Sequence, residues 1–239
     1  MNSHTAYNLW ESLENAADFW QILSNEQRAI LDSAKEVLRL EKGEIVFRQG
    51  EMPQQLFYVQ AGTVKVSRTG GAGKYQILRF ISQGEIFGYG AAMADEPYVV
   101  SAEAFEDCEI WAISLSCVRH TLLHSPEVAH YVLRRLAQEL ATADCRLVSL
   151  THGHLRGRMA ETLLFLSRIN SREEGHLDVL AHLTRRELAA LSNMSTANAI
   201  RTLTQFAEEG LIAVELIVVE GRHIRLLDVH RLQFVALQG

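Results

Sequence analysis

Between Glu41 and Ile113, Gly43, Gly50, Gly62, Gly70, Gly71, Gly73 and Gly84 punctuate short runs such as Glu44-Ile45-Val46-Phe47, Leu56-Phe57-Tyr58-Val59, Val64-Lys65-Val66 and Gln76-Ile77-Leu78-Arg79-Phe80. Such runs are too short for packed helices and suit strands closed by tight turns, so this stretch is expected to form an antiparallel barrel or roll. Before it, residues 10 to 40 carry helical periodicity (Phe19, Ile22, Leu23, Ile30, Leu31), with Ser24-Asn25-Glu26-Gln27 as a cap before a second short helix.

After the roll, Ser125-Pro126-Glu127 opens a long helix in which Leu133, Leu136, Leu140, Ala143, Leu147 and Leu150 alternate spacings of three and four. That is a coiled-coil seam. Polar neighbours (Arg134, Arg135, Gln138, Glu139, Asp144, Arg146) leave a narrow stripe suited to one partner helix, and a parallel homodimer is the economical solution. The alternative is a helix lying on the core of its own domain. A break at His152-Gly153-His154 precedes a further helical pattern (Met159, Leu163, Leu164, Leu166, Ile169), and Asn170 to Gly175 reads as an exposed loop. The expected organisation is a sensor domain over 1–124, a dimerisation helix over 125–152 and an output domain over 153–239, an α+β chain overall.

The 239 residues, 48% apolar and 22% charged with three prolines, describe a globular chain long enough for two cores. The N-terminus has neither a basic start nor an apolar signal core, and the late apolar stretch Leu211 to Val219 is interrupted by Glu215. A cytoplasmic protein without a membrane partner is expected. Cys108, Cys117 and Cys145 form no CxxC pair, so neither a disulfide framework nor a thiolate metal site is implied. The formal charge of −6 speaks against a nucleic-acid partner until its distribution is read. From Gly153 onward ten arginines balance ten carboxylates, so the whole deficit belongs to the first 152 residues.

Within the neutral part, Leu183-Thr184-Arg185-Arg186-Glu187-Leu188 presents a Thr-x-x-Glu capping box, and the helix it starts should end near Leu191-Ser192-Asn193. Ser195 can cap a second helix carrying Thr196 to Phe206. Two short helices joined by a tight polar turn make a helix-turn-helix, and the strands expected over Leu211–Val219 and His223–Leu227 supply a wing. Ala189, Leu191, Ile200 and Leu203 are spaced to pack the helices together. Thr196, Ala197, Asn198 and Arg201 lie toward the other side as candidate base readers, because an arginine fork fits the guanine edge and an asparagine amide the adenine edge. Arg185, Arg186, Ser195 and Thr202 suit phosphate contacts. Double-stranded DNA is the expected partner.

Several motifs together resemble the CRP/FNR family, the cyclic-AMP receptor protein and its relatives, over about residues 18 to 231: Lys42-Gly43-Glu44, Gln49-Gly50-Glu51, Gly62-Thr63-Val64-Lys65-Val66, Gly84-Glu85-Ile86-Phe87-Gly88, Ser101-Ala102, Gly157-Arg158-Met159-Ala160 and the Leu183–Ile212 helix pair. The resemblance implies a double-stranded β-roll sensor, a central dimerisation helix and a winged helix-turn-helix, with RNA polymerase as a further partner. In nucleotide-binding members a Gly-Glu pair and an Arg-Ser pair hold the ribose and cyclic phosphate. Here the matching positions read Gly88-Tyr89 and Val100-Ser101, so both charged groups are replaced, and cyclic AMP is not the expected effector. With Gly90 and Tyr98, these residues define the candidate effector pocket, and Arg79 is a cation that a neighbouring strand could supply.

An iron-sulfur cluster is not expected, since no cysteine precedes Cys108. Pro97-Tyr98-Val99-Val100-Ser101-Ala102-Glu103 and Glu208-Glu209-Gly210-Leu211-Ile212 are similar to the haem and nitric-oxide-responsive denitrification regulators, which makes haem a candidate cofactor. Its axial ligand would come from ten histidines without a motif, among them His120 and His124, four apart, and His152 and His154 at the domain junction. A constitutive regulator of the same fold and a β-roll module that binds no DNA are the alternatives. No catalytic arrangement or metal spacing is present in the sequence, so an enzyme is not expected.

Overall fold

The computed structural model describes residues 18–122, 124–174, 178–179, 183–217 and 221–238. The chain divides into two compact units between Ala141 and Thr142, inside a long helix.

In the first unit a short 3-10 helix, Phe19–Ile22, is capped by the Asp18 carboxylate, which accepts from the Trp20 amide. Helix α1 (Asn25–Ala34) starts with a reciprocal capping box between Ser24 and Gln27, as the cap signal suggested. The helical pattern was expected to reach residue 40. Instead Lys35–Leu40 forms strand β1, paired antiparallel with β8 (Cys108–Ser114) from Lys35 opposite Ile113 to Leu40 opposite Cys108. A ladder formed with a strand some 70 positions away in the chain overrides the local periodicity here.

Strands β2 (Ile45–Phe47), β3 (Gln55–Ala61), β4 (Val64–Thr69), β5 (Tyr75–Ile81), β6 (Ile86–Phe87) and β7 (Ser101–Ala104) complete two four-stranded sheets of order β1-β8-β3-β6 and β2-β7-β4-β5. All their pairings are antiparallel. Alternation along β3 explains the layering. Phe57 and Val59 join Phe47, Val64, Phe87 and Ile110 in a core between the sheets, while Leu56 and Tyr58 point to the opposite face. That outer face is covered by Phe19, Leu31, helix α3 (Leu115–Thr121) and the start of α4 (Pro126–His152). Gly62 turns β3 into β4 at φ +82°, with a backbone oxygen, that of Asp107, 2.5 Å from where a Cβ would stand, so this turn admits no side chain. A short helix, α2 (Tyr89–Ala94), interrupts the roll between β6 and β7.

The second unit holds α5 (Leu155–Glu174), β9 (Asp178–Val179), α6 (Arg185–Leu191), α7 (Thr196–Glu208), β10 (Ile212–Ile217), β11 (Gly221–Leu226) and α8 (Val229–Gln238). Its sheet order is β10-β11-β9. The loop expected from Asn170 is corrected: α5 continues through Glu174, and Gly175 lies outside the described residues. Asn170 has helical neighbours on both sides and no proline or glycine before position 175 to stop the ladder. Met159, Ala160, Leu163 and Leu166 are fully buried. The pair β10 and β11 is the hairpin expected from the sequence, and its tip, 218–220, lies outside the described residues. Strand β9 and helix α8 were not anticipated. Within this unit the last turns of α4 are fastened by Arg146, whose Nη2 donates to the Leu191 carbonyl at 2.7 Å, and by Ser149, whose hydroxyl donates to Glu161 at 2.5 Å.

Candidate nucleic-acid interface and sensor site

Helix α6 begins where the capping box placed it: the Glu187 amide donates to the Thr184 hydroxyl at 3.1 Å and the Thr184 amide to the Glu187 carboxylate at 3.0 Å. The turn that follows carries Asn193 in a left-handed conformation, φ 48°, and is tied to α5 by the buried Ser192 hydroxyl, which donates to Thr162 at 2.9 Å. Ser195 then caps α7 by accepting from the Asn198 amide. One row of α7, Ala199, Thr202, Leu203 and Phe206, is buried in the company of Leu188, Ala189 and Leu191 of α6. The other side presents Ser195, Thr196, Ala197, Ile200 and Arg201 to solvent, with Asn198 half-buried at its edge.

Two expectations fail on this helix. Thr202 is 4% exposed and cannot reach a phosphate, whereas Ile200, expected to pack the helix pair, is 49% exposed. At 100° per residue, position 202 shares the inner row with 199, 203 and 206, and position 200 does not. Side-chain chemistry pointed the wrong way in both cases. Arg186 is exposed and Arg185 half-buried. Another arginine of the unit, Arg156, is committed internally, forking onto the Glu209 carboxylate at 2.7 and 2.8 Å.

In the roll, Gly88 caps α2 at φ +85°, and a Cβ there would stand 3.2 Å from the Phe57 ring and 3.4 Å from the Tyr98 hydroxyl. Tyr89 is buried, and its hydroxyl donates to the Glu139 carboxylate of α4. Burial first, then the Glu139 charge, pushes the Tyr89 hydroxyl well above its ordinary range and keeps it a donor. Arg79 pairs with the same carboxylate oxygen, so the cation that the sequence offered points toward α4. One turn earlier, Arg135 is buried and its Nη2 lies 2.9 Å from Glu85. Next to it Tyr131 is 7% exposed, its hydroxyl pushed up to about 12 chiefly by burial. Tyr98 stacks on Phe47 with ring centroids 3.7 Å apart, and its hydroxyl is buried without a hydrogen-bond partner. Val100 is half-buried and packs against the inter-sheet core, the Ser101 hydroxyl accepts from the Gln49 amide at 2.9 Å, and Gly90 is exposed. The structure therefore sets Gly88 beside Tyr98 in the core between the sheets, with Val100 packed against the same core, but turns the Tyr89 side chain to the outer face with Phe19 and Tyr131, so the expected pocket residues do not all meet.

Arg135, Glu139, Glu85 and Tyr131 escaped the sequence reading. Arg135 and Glu139 looked like solvated flanks of the leucine stripe, and their spacing of four, like that of Tyr131 and Arg135, is the signal that could have shown one shared helix face. The leucines behave oppositely: Leu133, Leu136, Leu140 and Leu147 are 66, 37, 65 and 61% exposed. Ala143 is also exposed.

His120 lies in the last turn of α3, but His124 lies past the end of that helix, so the two do not share a helical face as their spacing suggested. Both are exposed and line a groove of about 570 Å³ with Leu23, Glu26, Gln27 and Glu127. A haem macrocycle needs an enclosed apolar slot, and this open groove, where Glu26, Gln27 and Glu127 stand among Ile22, Leu23 and Ile30, does not fit one. Cys108 is buried, its thiol pushed up by burial and donating to the carbonyls of Thr63 and Glu106. His154 is exposed between α4 and α5. Among the described residues no group of three or more His, Cys, Asp or Glu could hold a metal ion. No helix among them is long and apolar enough to cross a membrane.

Comparison with known proteins gives this arrangement its place. Residues 37–125 match the cyclic nucleotide-binding domain, and residues 157–235 match the Crp-like helix-turn-helix domain. The chain is 33% identical over 187 residues to the cyclic AMP receptor protein of Thermus thermophilus, covering 78% of this chain and 84% of that one. It is 27% identical over 214 residues to the transcriptional activator protein anr of Pseudomonas aeruginosa, covering 87% and 84%. Among solved structures, a CRP/FNR-family transcriptional regulator from Thermus thermophilus superimposes with a TM-score of 0.68 at 26% identity, covering 84% of this chain and 98% of that one. A β-roll carrying the nucleotide-domain pattern, followed by a helix-turn-helix of the matching type, is the family's architecture, and the chain belongs to the CRP/FNR family of DNA-binding transcription regulators.

Proposed function

We propose that the protein acts as a homodimer, joined through α4, that reads a near-palindromic DNA site with its two α7 helices and is controlled through a roll that does not take cyclic AMP. The observation that carries this reading is the exposed row Leu133, Leu136, Leu140 and Leu147, which is apolar, narrow and in heptad spacing. A second copy presents the same row, so a two-fold interface satisfies both at once. Residues 1–124, 125–152 and 153–239 then serve sensing, dimerisation and DNA reading. Thr196, Ala197, Asn198 and Arg201 take the base edges, with Arg201 forking onto guanine, while Ser195, Arg185 and Arg186 take phosphates. RNA polymerase is the partner through which such binding would change transcription.

The relative from Thermus carries cyclic AMP in its name, and the roll is its counterpart here. The chemistry of two residues in the roll disfavours that ligand. Tyr89 replaces the carboxylate expected on the ribose and spends its hydroxyl on Glu139, and Val100 replaces the guanidinium expected on the phosphate. A constitutive regulator is the second reading, favoured by the stacked Phe47–Tyr98 pair that fills the roll with the chain's own rings.

Selection from a random duplex library by the purified protein, with sedimentation of the free and bound species, tests the proposal. A dimer enriching an inverted repeat is expected, and a monomer, or no enriched sequence, would overturn it. Cyclic AMP should leave the melting temperature unchanged, since a ligand of the native state must raise it.

A further inference from the structure

On the outer side of α7, Ile200 is an isoleucine 49% exposed, one position before Arg201. A single exposed apolar residue is common and needs no explanation. This one has neighbours that make it part of a strip. Helix geometry places Ala197 three positions before it and Thr204 four positions after it on the same side, and both are exposed. The Thr204 hydroxyl donates to the Ile200 carbonyl at 3.0 Å, which spends its polar group on the helix itself. Asn198 and Gln205 fall on the far side of Arg201. The face is therefore split lengthwise, with an amide-bearing edge and a hydrocarbon edge separated by a guanidinium.

Hydrogen-bonding groups can serve any of the four base pairs, but among the unmodified bases the 5-methyl of thymine is the one apolar group displayed in the major groove. We propose that Ile200 is a specificity-determining residue that selects a thymine by packing against its 5-methyl group, next to the base pair read by Arg201. The assignment rests on α7 being the reading helix and adds to it an apolar contact at a base pair beside the one read by Arg201. It also turns the exposure of Ile200 in the free protein into apolar area that is removed from water when DNA binds.

The test uses the duplex enriched by the full-length protein from a random library. Each thymine is replaced singly by deoxyuridine, which removes the methyl and keeps every hydrogen-bonding group. One thymine per half-site should respond, with binding about fourfold weaker, the size expected for one methyl group left in water. In the Ile200→Ser variant the two duplexes should bind equally, while the preference at the base pair read by Arg201 persists. If no thymine responds, or if the responding thymine keeps its effect in Ile200→Ser, the assignment is overturned while the reading helix stands. If the wild-type protein enriches no sequence at all, the DNA-reading proposal beneath it fails, and the assignment with it.

Discussion

Helices α4 and α7 belong largely to different units of the chain, and each turns its chemistry inside out to a different degree. On α4 the charged residues Arg135 and Glu139 hold the roll while Leu133 and Leu140 stand in solvent. On α7 a threonine, Thr202, is buried and an isoleucine, Ile200, is exposed. The difference lies in continuity. The exposed apolar row of α4 runs over several turns and calls for an equally apolar partner, whereas that of α7 is short and flanked by Arg201 and suits a polar surface with apolar points.

The sharpest way to break this comparison is to charge the α4 row. Leu133→Asp with Leu140→Asp should give a folded monomer by sedimentation, and losing the second recognition helix should weaken binding to the full site by on the order of a hundredfold or more. A double variant that remains dimeric would show that the row is not the interface.

The opposite face of α4 is probed by Arg135→Ala, which strands a buried Glu85 and should cost about 3–5 kcal/mol in chemical denaturation. Replacing both partners by methionine should recover most of that loss, because a buried ion pair contributes little net stability over a well-packed apolar pair. Equal losses in the single and double variants would mean that packing, not charge pairing, joins α4 to the roll.

On α7, Arg201→Ala should cost about 1–3 kcal/mol of binding and relax the preference at one position per half-site, measured by competition among duplexes. Supporting structure matters less. Thr184→Ala removes the α6 cap and should lower stability by about 1 kcal/mol with little change in sequence preference.

The smallest effect concerns Glu161, whose carboxyl is raised by burial despite its bond from Ser149. A carboxyl with a raised folded-state value penalises the folded state when ionised. The penalty is relieved as the pH falls through that raised value and is gone below the ordinary carboxylate range. Relative to Glu161→Gln, the native protein should therefore gain stability on acidification from neutral pH, and a melting series from pH 7 to about pH 4 measures the difference.

Much of this architecture was legible in the residues because it rests on local signals. Capping boxes at Ser24 and Thr184 marked helix starts, glycines marked turns, and heptad spacing marked the α4 row. Other parts depend on partners distant in the chain. The strand at Lys35–Leu40 exists because β8 pairs with it, and nothing in its own periodicity separates it from the helix before it. The Tyr89–Glu139 bond joins positions 50 residues apart. On α7 Arg201 is exposed, as the sequence suggested, but residue chemistry misplaced Thr202 and Ile200, because helical phase rather than polarity decides which side chain is buried.

The amino-acid sequence by itself determined the order of a roll, a long helix and a winged helix pair, since turn chemistry, caps and periodicity act over a few residues. It also placed a tyrosine at 89 and a valine at 100, where the family resemblance implies a glutamate and an arginine. Only the tertiary structure decided which side chains turn inward: Tyr89 is drawn to Glu139, Arg135 is buried against Glu85, and the leucines of α4 are left facing outward. The reason is physical. An arginine or a glutamate reads as a surface residue until a counter-charge from another element makes its burial tolerable, and that partner is set by the fold rather than by neighbours in the chain.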